Sequence, residues 1–174
     1  SGQAAAGAPS GAAVADLPFK ASDAIGVLMA YSAKVRIDQI GSNDTTDTLT
    51  NGVSSRRNQL LMDISSELGV ASVDGAAEAT LDKLAQIVNK AAPNYKPFGA
   101  VLSEALRDRL RSLFGAAGVK QQYIRDRVTN VWQLGEGWVA SVLATLLLDT
   151  REGASSRGGD LAKLPTAAVQ NKPE

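Results

Sequence analysis

Apolar residues recur at helical spacing in two groups of segments that are separated by one short interruption. Pro93 and Pro97 lie in that interruption, and a proline ends or kinks a helix because it lacks the backbone N–H. The pattern therefore predicts an all-α protein, with a helical bundle at residues 17–92 and a C-terminal helical subdomain at residues 93–150.

The first group predicts three main helices. They run from about residue 22 to 36 with Ser22 as N-cap, from Ser54 to Leu68 with Ser54 as N-cap and Gly69 as the stop, and from Thr80 to Lys90. The residues predicted to face inward are Ile25, Leu28, Met29, Ser32, Val35, Leu60, Leu61, Ile64, Leu68, Leu81, Leu84, Ile87 and Val88.

The connections in this group are polar. Residues 38–52 are rich in Asp, Asn, Ser and Thr and predict a long loop that Ile40 and Leu49 anchor to the core. The run Ala76–Ala79 predicts one short helical turn. The polar residues predicted on or beside the outer face of the middle helix are Arg56, Arg57, Asp63 and Glu67.

The second group predicts three further helices, at about residues 100–114, 120–133 and 138–149, of which Gly115 and Gly135 end the first two. The last helix is apolar nearly all round, so it is predicted to be the central buried helix of this half. The residues predicted to face inward are Leu102, Leu106, Leu110, Leu113, Ile124, Val128, Val131, Trp132, Val139, Val142, Leu143, Leu146 and Leu147.

Both ends of the chain, residues 1–16 and 151–174, are rich in Ala, Gly, Ser and Pro and are interpreted as flexible linkers. The 18 basic and 18 acidic side chains give zero formal net charge, which argues against nucleic acid or an anionic membrane as a partner. No apolar run is long enough to span a membrane, and no basic region with an apolar core begins the chain, so we expect a soluble, cytoplasmic domain.

The chain contains neither Cys nor His, which excludes disulfides, zinc–thiolate sites, Cys nucleophiles and Ser-His pairs. We therefore expect no catalytic residue and no metal ligand, and the isolated domain is not predicted to be an enzyme. The absence also means that no thiol of the domain could capture a bound thioester and no imidazole could act as a base for its hydrolysis.

Ser54 is the strongest candidate for a functional residue. It follows the turn dipeptide Asn51-Gly52 and starts a helix, where free backbone N–H groups and the positive end of the macrodipole favour a phosphate on its oxygen. Arg56 and Arg57 occupy a first turn that disfavours cations, which suggests contact with a phosphodiester or with an acidic partner. The alternative is that Ser54 only caps the helix and the arginines are merely solvated.

Residues 51–69 have the sequence Asn51-Gly-Val-Ser-Ser-Arg-Arg-Asn-Gln-Leu-Leu-Met-Asp-Ile-Ser-Ser-Glu-Leu-Gly69. This segment resembles the acyl carrier domains of large, single-chain (type I) fatty acid synthases, those of mycobacteria and corynebacteria in particular. The fungal synthases carry a similar Gly-Gly-Lys-Ser-Thr-Val-Gln-Asn run, which places their modified serine on Ser54 rather than Ser55. The likeness continues through Tyr95-Lys-Pro-Phe-Gly99 and Val131-Trp-Gln-Leu-Gly135 to Thr150-Arg-Glu-Gly153.

This resemblance implies that residues 17–92 are an acyl carrier core and residues 93–150 a structural subdomain. It also implies that Ser54 bears covalent 4′-phosphopantetheine, whose thiol holds the growing acyl chain as a thioester. The implied partners are a phosphopantetheinyl transferase and the ketosynthase, ketoreductase, dehydratase, enoyl reductase and acyltransferase domains of the parent synthase. Arg56 and Arg57 are the predicted recognition residues because they lie in a first helical turn that disfavours cations. The two linkers would tether the domain between them.

Stand-alone acyl carriers have Asp-Ser-Leu where this chain has Val53-Ser54-Ser55, so recognition by the modifying enzymes of stand-alone carriers is not implied. Two alternatives remain at this point. One is a helical interaction or regulatory module. The other is a carrier domain of a polyketide or peptide synthase, although those usually show a Gly-x-Asp-Ser or Gly-Gly-Asp/His-Ser lead-in.

Overall fold

The computed structural model describes residues 14–115 and 118–150, in which all regular structure is helical and no strand occurs. This confirms the all-α prediction. None of the described helices is both long and apolar enough to cross a membrane. The α-helices are α1 Ala21–Ala33, α2 Thr46–Leu49, α3 Ser54–Leu68, α4 Leu81–Ala91, α5 Ala100–Phe114, α6 Gln121–Asp126 and α7 Glu136–Asp149, with a 3₁₀ turn at Ile37–Gln39 and a π-helical turn at Arg127–Val131.

The first helix begins and ends earlier than its sequence pattern predicts. Its N-cap is Lys20, and the predicted cap Ser22 instead joins α1 to α4, donating its backbone amide to Asn89 Oδ1 (2.9 Å) and accepting from Asn89 Nδ2 (3.0 Å). Lys34 adopts a left-handed conformation with φ 60° and ends the helix, so Val35 lies beyond it. Ser32, predicted to face inward, is exposed.

The connecting segments of the first half contain more structure than a polar loop. Ile40 and Leu49 pack against the core as predicted, but the segment also forms the 3₁₀ turn and α2. The alanine-rich run forms the single helical turn predicted for it, closed by a hydrogen bond from the Ala79 amide to the Gly75 carbonyl (3.2 Å) four residues earlier. Thr80 stands at the N-cap position of α4, although its hydroxyl donates to the Asp82 carboxylate (2.6 Å) rather than capping the helix.

The second half departs from the prediction where one helix was expected at 120–133. After α6 the chain makes a π-helical turn, shown by the Trp132 amide donating to the Arg127 carbonyl (3.2 Å) five residues earlier. The wider turn changes the direction in which the following side chains point. Val131, predicted to face inward, is 57% exposed, and Leu134 is buried instead. In α5, Leu113 is likewise exposed despite its predicted inward position.

Helix α7 is the central buried helix, as predicted. One of its faces belongs to a core that it shares with α1, α3, α4 and the start of α5, through Ala140, Ala144, Leu147 and Leu148. Its other face forms a second core with the rest of α5, the π-helical turn and Leu134. Because both cores include residues of one helix, α7 covers the bundle and the C-terminal subdomain together.

Both ends of α7 are bonded to distant parts of the chain. At its N-terminus, Asp16 Oδ1 accepts the Gly137 amide (2.9 Å) and the Ala15 carbonyl accepts Trp138 Nε1 (2.9 Å). At its C-terminus, Arg109 Nη2 donates to the Thr150 carbonyl (2.5 Å). The predicted linker at 1–16 is therefore wrong for Ala15 and Asp16, which fix the position of α7, while residues 1–13 and 151–174 lie outside the described parts of the chain.

Candidate functional site

A reversal of the backbone places the start of α3 at the surface. Asn51 and Gly52 both have positive φ (56° and 74°), a conformation that Gly adopts freely and Asn tolerates. A Cβ on Gly52 would meet no atom within 4 Å, so backbone conformation rather than space calls for glycine there. The Gly52 amide donates to the Asp47 carbonyl (2.9 Å) and closes the turn onto α2.

Helix α2 is itself fixed to the core on its other side. Thr46 is fully buried, and its hydroxyl donates to the Ala77 carbonyl (3.3 Å) in the turn before α4. Thr45 caps the helix, accepting the Thr48 amide on its hydroxyl oxygen (3.2 Å). Helix α2, which leads into the loop before Ser54, is thus held between α3 and the turn before α4.

Ser54 is the first residue of α3 rather than its N-cap, which corrects the sequence prediction. The N-cap is Val53, which has an extended backbone and a carbonyl that accepts the Arg57 amide (2.9 Å). Within residues 14–115 and 118–150 the Ser54 hydroxyl makes no hydrogen bond, and both Ser54 and Ser55 are exposed. The hydroxyl is therefore free for chemistry instead of being committed to capping.

The backbone around that hydroxyl is electropositive. The amides of Ser54, Ser55 and Arg56 open the helix, where no earlier helical carbonyl is available to accept them. They lie at the positive end of the macrodipole of a 15-residue helix. This geometry suits an anionic group bonded to the Ser54 oxygen.

The two arginines that follow have different surroundings. Arg57 Nη1 pairs with Asp47 Oδ1 at 3.0 Å and so joins α3 to α2. Arg56 is exposed, has no ion pair with any described residue, and lines a groove of about 390 Å³ beside Lys34 and Asn51. The structure therefore brings Ser54, Arg56 and Arg57 into one helical turn but leaves only Arg56 available to a partner.

Comparison with known proteins identifies the family of the chain. The family model described as "Fatty acid synthase subunit alpha Acyl carrier domain" matches residues 15–157. The chain belongs to this acyl carrier family. The resemblance to the acyl carrier domain of type I synthases is thereby confirmed.

Two curated relatives agree with the family match. The fatty acid synthase subunit alpha of Schizosaccharomyces pombe is 31% identical over 149 residues, which cover 86% of this chain. The subunit of the same name from Lachancea kluyveri is 31% identical over 152 residues, which cover 84% of this chain. This acyl carrier domain spans only 8% of the length of either relative.

The carrier domain contains a buried carboxylate, Glu67, for which the sequence pattern predicts a position on or beside the outer face of α3. Glu67 is 2% exposed. Its Oε2 accepts the Tyr95 hydroxyl and the Gly99 amide, both at 2.5 Å, and its Oε1 accepts the Leu102 amide at 2.7 Å. Gly99 is the N-cap of α5, and Leu102 is the third residue of that helix, so Glu67 of α3 caps the first helix of the second half.

A signal for Glu67 was present in the sequence. It follows Ile64 by three residues, a spacing that puts two side chains on the same helix face, and Ile64 is fully buried. The close approach also explains Gly99, since a Cβ there would overlap the Glu67 backbone carbonyl and carboxylate. Helical geometry therefore indicates a buried position for Glu67, whereas its charge alone indicates an exposed one.

Burial raises the pKa of the Tyr95 phenol well above its usual value, and the negative charge of Glu67 raises it further. A raised folded-state pKa gives stability that is present below the unfolded pKa, about 10, and is lost as pH rises above it. We expect the free energy of unfolding to decline above pH about 10, and less steeply in Tyr95→Phe. Parallel wild-type and Tyr95→Phe curves in urea unfolding across that range would contradict the assignment.

Proposed function

We propose that the Ser54 hydroxyl oxygen carries 4′-phosphopantetheine through a phosphodiester bond. The observation that supports this most is the exposed hydroxyl with no hydrogen-bond partner among the described residues, at the start of α3, in a chain of the acyl carrier family. When attached, the group supplies a thiol that holds the growing acyl chain as a thioester.

The residues around Ser54 fit a phosphodiester. The first-turn amides of α3 can donate to its oxygens, and the helix dipole favours its charge. Arg56 is less suited to pair with it, because side chains two residues apart on a helix do not face each other. We therefore assign phosphate stabilisation to the backbone and partner contact to Arg56.

We further propose that the domain is a non-catalytic carrier that delivers its cargo to other parts of a fatty acid synthase. The sequence has no His and no Cys, and the described residues hold no His, Cys, Asp and Glu cluster suited to a metal ion. By family membership, the proposed partners are a phosphopantetheinyl transferase and the ketosynthase, ketoreductase, dehydratase, enoyl reductase and acyltransferase domains of the parent synthase.

Substitution at the two serines tests the attachment site. After treatment with a phosphopantetheinyl transferase and coenzyme A, we expect intact-mass spectrometry to show one added group on wild type and Ser55→Ala, and none on Ser54→Ala. Because the Ser54 hydroxyl makes no described hydrogen bond, Ser54→Ala should cost no more than about 0.5 kcal/mol of stability. Unmodified Ser55→Ala of wild-type stability, or modified Ser54→Ala, would reject the assignment.

Charge reversal tests the difference between the two arginines. Arg56→Glu should slow modification of Ser54 several-fold at low salt and little at high salt, because exposed charges are screened. Arg57→Glu should lower the free energy of unfolding by about 1 kcal/mol, since it replaces a half-exposed pair with Asp47 by a repulsion. Equal modification rates for wild type and Arg56→Glu at low ionic strength would leave Arg56 without a role in recognition.

A further inference from the structure

A cleft of about 630 Å³ lies between α5 and α6 in the C-terminal subdomain, on the half that does not contain Ser54. We call it the basic cleft. Its rim carries Arg107, Arg111, Lys120 and Arg125, and none of the described residues that line it is acidic. In a chain of zero formal net charge, four cations around one cleft are a local concentration of positive charge.

The cations of the rim are not equally neutralised. Arg125 pairs with Glu136, and Arg111 lies 3.5 Å from Asp108 in a contact where both side chains are more than 60% exposed. Arg107 and Lys120 are exposed and make no ion pair or side-chain hydrogen bond with a described residue. Two full charges therefore remain available to an anion, one on each wall of the cleft.

The floor and one end of the cleft are apolar. Leu110 is buried beneath it, Val119 lines it, and Ser103 marks its other end on α5. Phe114 lies outside the lining of the cleft, but it precedes Gly115, which lines it. It follows Leu110 by four residues on the same helix face and is 45% exposed. An arginine-rich rim over an apolar floor, with an exposed aromatic side chain beyond one end, is a composition found in protein interfaces.

The dimensions favour a peptide over a single small anion. The face from Ser103 to Phe114 is about 16 Å long at the helical rise of 1.5 Å per residue. An extended peptide of about five residues has that length, and its side chains alternate between two directions. Carboxylates on one side can meet the rim while apolar side chains on the other meet the floor.

We propose that the basic cleft docks an acidic segment of another polypeptide, about five residues long when extended, with apolar side chains between its carboxylates. The ends of this chain do not match that chemistry. Residues 1–13 have no charged side chain, and residues 151–174 have four basic against three acidic side chains. The surface would give the domain a second point of contact that does not depend on Ser54.

The test uses the full 174-residue chain and a fluorescein-labelled peptide, Glu-Phe-Glu-Leu-Glu, with binding followed by fluorescence anisotropy. The cleft variant is Arg107→Glu/Lys120→Glu. The control is Lys83→Glu/Lys90→Glu, two exposed α4 residues whose reversal changes the net charge equally. We expect saturable binding that falls about tenfold in the cleft variant and less than about twofold in the control.

Phe114→Ala separates a peptide site from a simple anion site, because it changes no charge and should still weaken binding about fivefold. Ser54→Ala should bind the peptide like wild type, so failure of this proposal is distinct from failure of the attachment site. The proposal is overturned by no saturation at about 1 mM peptide, by equal loss in both charge variants, or by unchanged affinity in Phe114→Ala. It is also overturned if inorganic pyrophosphate displaces the peptide at lower concentration than unlabelled peptide, or if the cleft variant abolishes dimerisation of the chain itself.

Discussion

Leu143→Asp is expected to unfold the C-terminal subdomain and to destabilise the carrier bundle as well. Leu143 is 1% exposed in the second core, where it lies with Leu106, Leu110 and Trp138. An unpaired carboxylate in such a core costs several kcal/mol, which is comparable with the whole stability of a domain.

The effect should reach Ser54 although Leu143 lies in the other core. Ala144 and Leu147 of the same helix belong to the first core, so loss of α7 uncovers α1 and its neighbours. We therefore expect one unfolding transition at lower temperature, followed by circular dichroism, and a smaller extent of Ser54 modification at 37 °C.

Val131→Asp is the matched control for this substitution. It places the same carboxylate in the same half, but at a side chain that is 57% exposed, so stability and modification should remain near wild type. The halves would be independent domains if Leu143→Asp unfolded in two separate transitions, with residues 17–92 at wild-type stability and Ser54 fully modified.

Glu67→Ala is expected to be nearly as damaging. It removes the acceptor for the Tyr95 hydroxyl, the Gly99 amide and the Leu102 amide at once. The Leu102 amide is a buried donor, which costs about 1–3 kcal/mol without an acceptor, and the other two donors are part-buried and cost less. The free energy of unfolding should therefore fall by about 3–5 kcal/mol. Urea unfolding at neutral pH measures this loss.

Two comparisons identify the cause of that loss. Asp63→Ala removes a carboxylate one turn earlier on α3, where it accepts only an exposed hydrogen bond from Gln59 (2.9 Å), and should cost about 0.5 kcal/mol. Tyr95→Phe combined with Glu67→Ala should cost less than the sum of the single changes, because they share one hydrogen bond. A Glu67→Ala variant within about 1 kcal/mol of wild type would contradict the proposed role of Glu67 as the cap of α5.

The sequence predicted the helices whose own residues determine them. Helix α3 has its predicted bounds because its apolar spacing is regular and Gly69, at φ 71°, ends it. Helix α5 also has its predicted bounds, and α7, apolar nearly all round, is the central helix. For these three helices, most of the residues that the apolar spacing predicts to face inward are buried in the structure.

The features that were missed depend on residues far apart in sequence. Helices α5 and α7 both begin after a glycine, Gly99 and Gly135, and receive their capping carboxylates from Glu67 and Asp16 in other parts of the chain. A helical pattern cannot reveal such an acceptor. The π-helical turn could not be predicted either. Its one wider turn directs Val131 to the surface, although the spacing of apolar residues there is that of an ordinary α-helix.

For the candidate site, the sequence pattern pointed to Ser54 but did not predict its surroundings. Serine favours the N-cap position, so the sequence predicts Ser54 there, whereas the extended backbone of Val53 makes Val53 the cap. Arg56 and Arg57 looked equivalent until the ion pair with Asp47 separated them. That ion pair joins α3 to α2 across the Asn51-Gly52 reversal, and the spacing of residues within one helix cannot predict a contact between two helices.

The most direct test of the central claim is to locate the prosthetic group on the wild-type chain. After modification with coenzyme A and a phosphopantetheinyl transferase, the peptide that contains both Ser54 and Ser55 is fragmented by electron transfer in a mass spectrometer, which preserves the phosphodiester. The account predicts that fragments separating the two residues carry the group on Ser54 alone. The group on Ser55, or a chain that remains unmodified although folded, would contradict it.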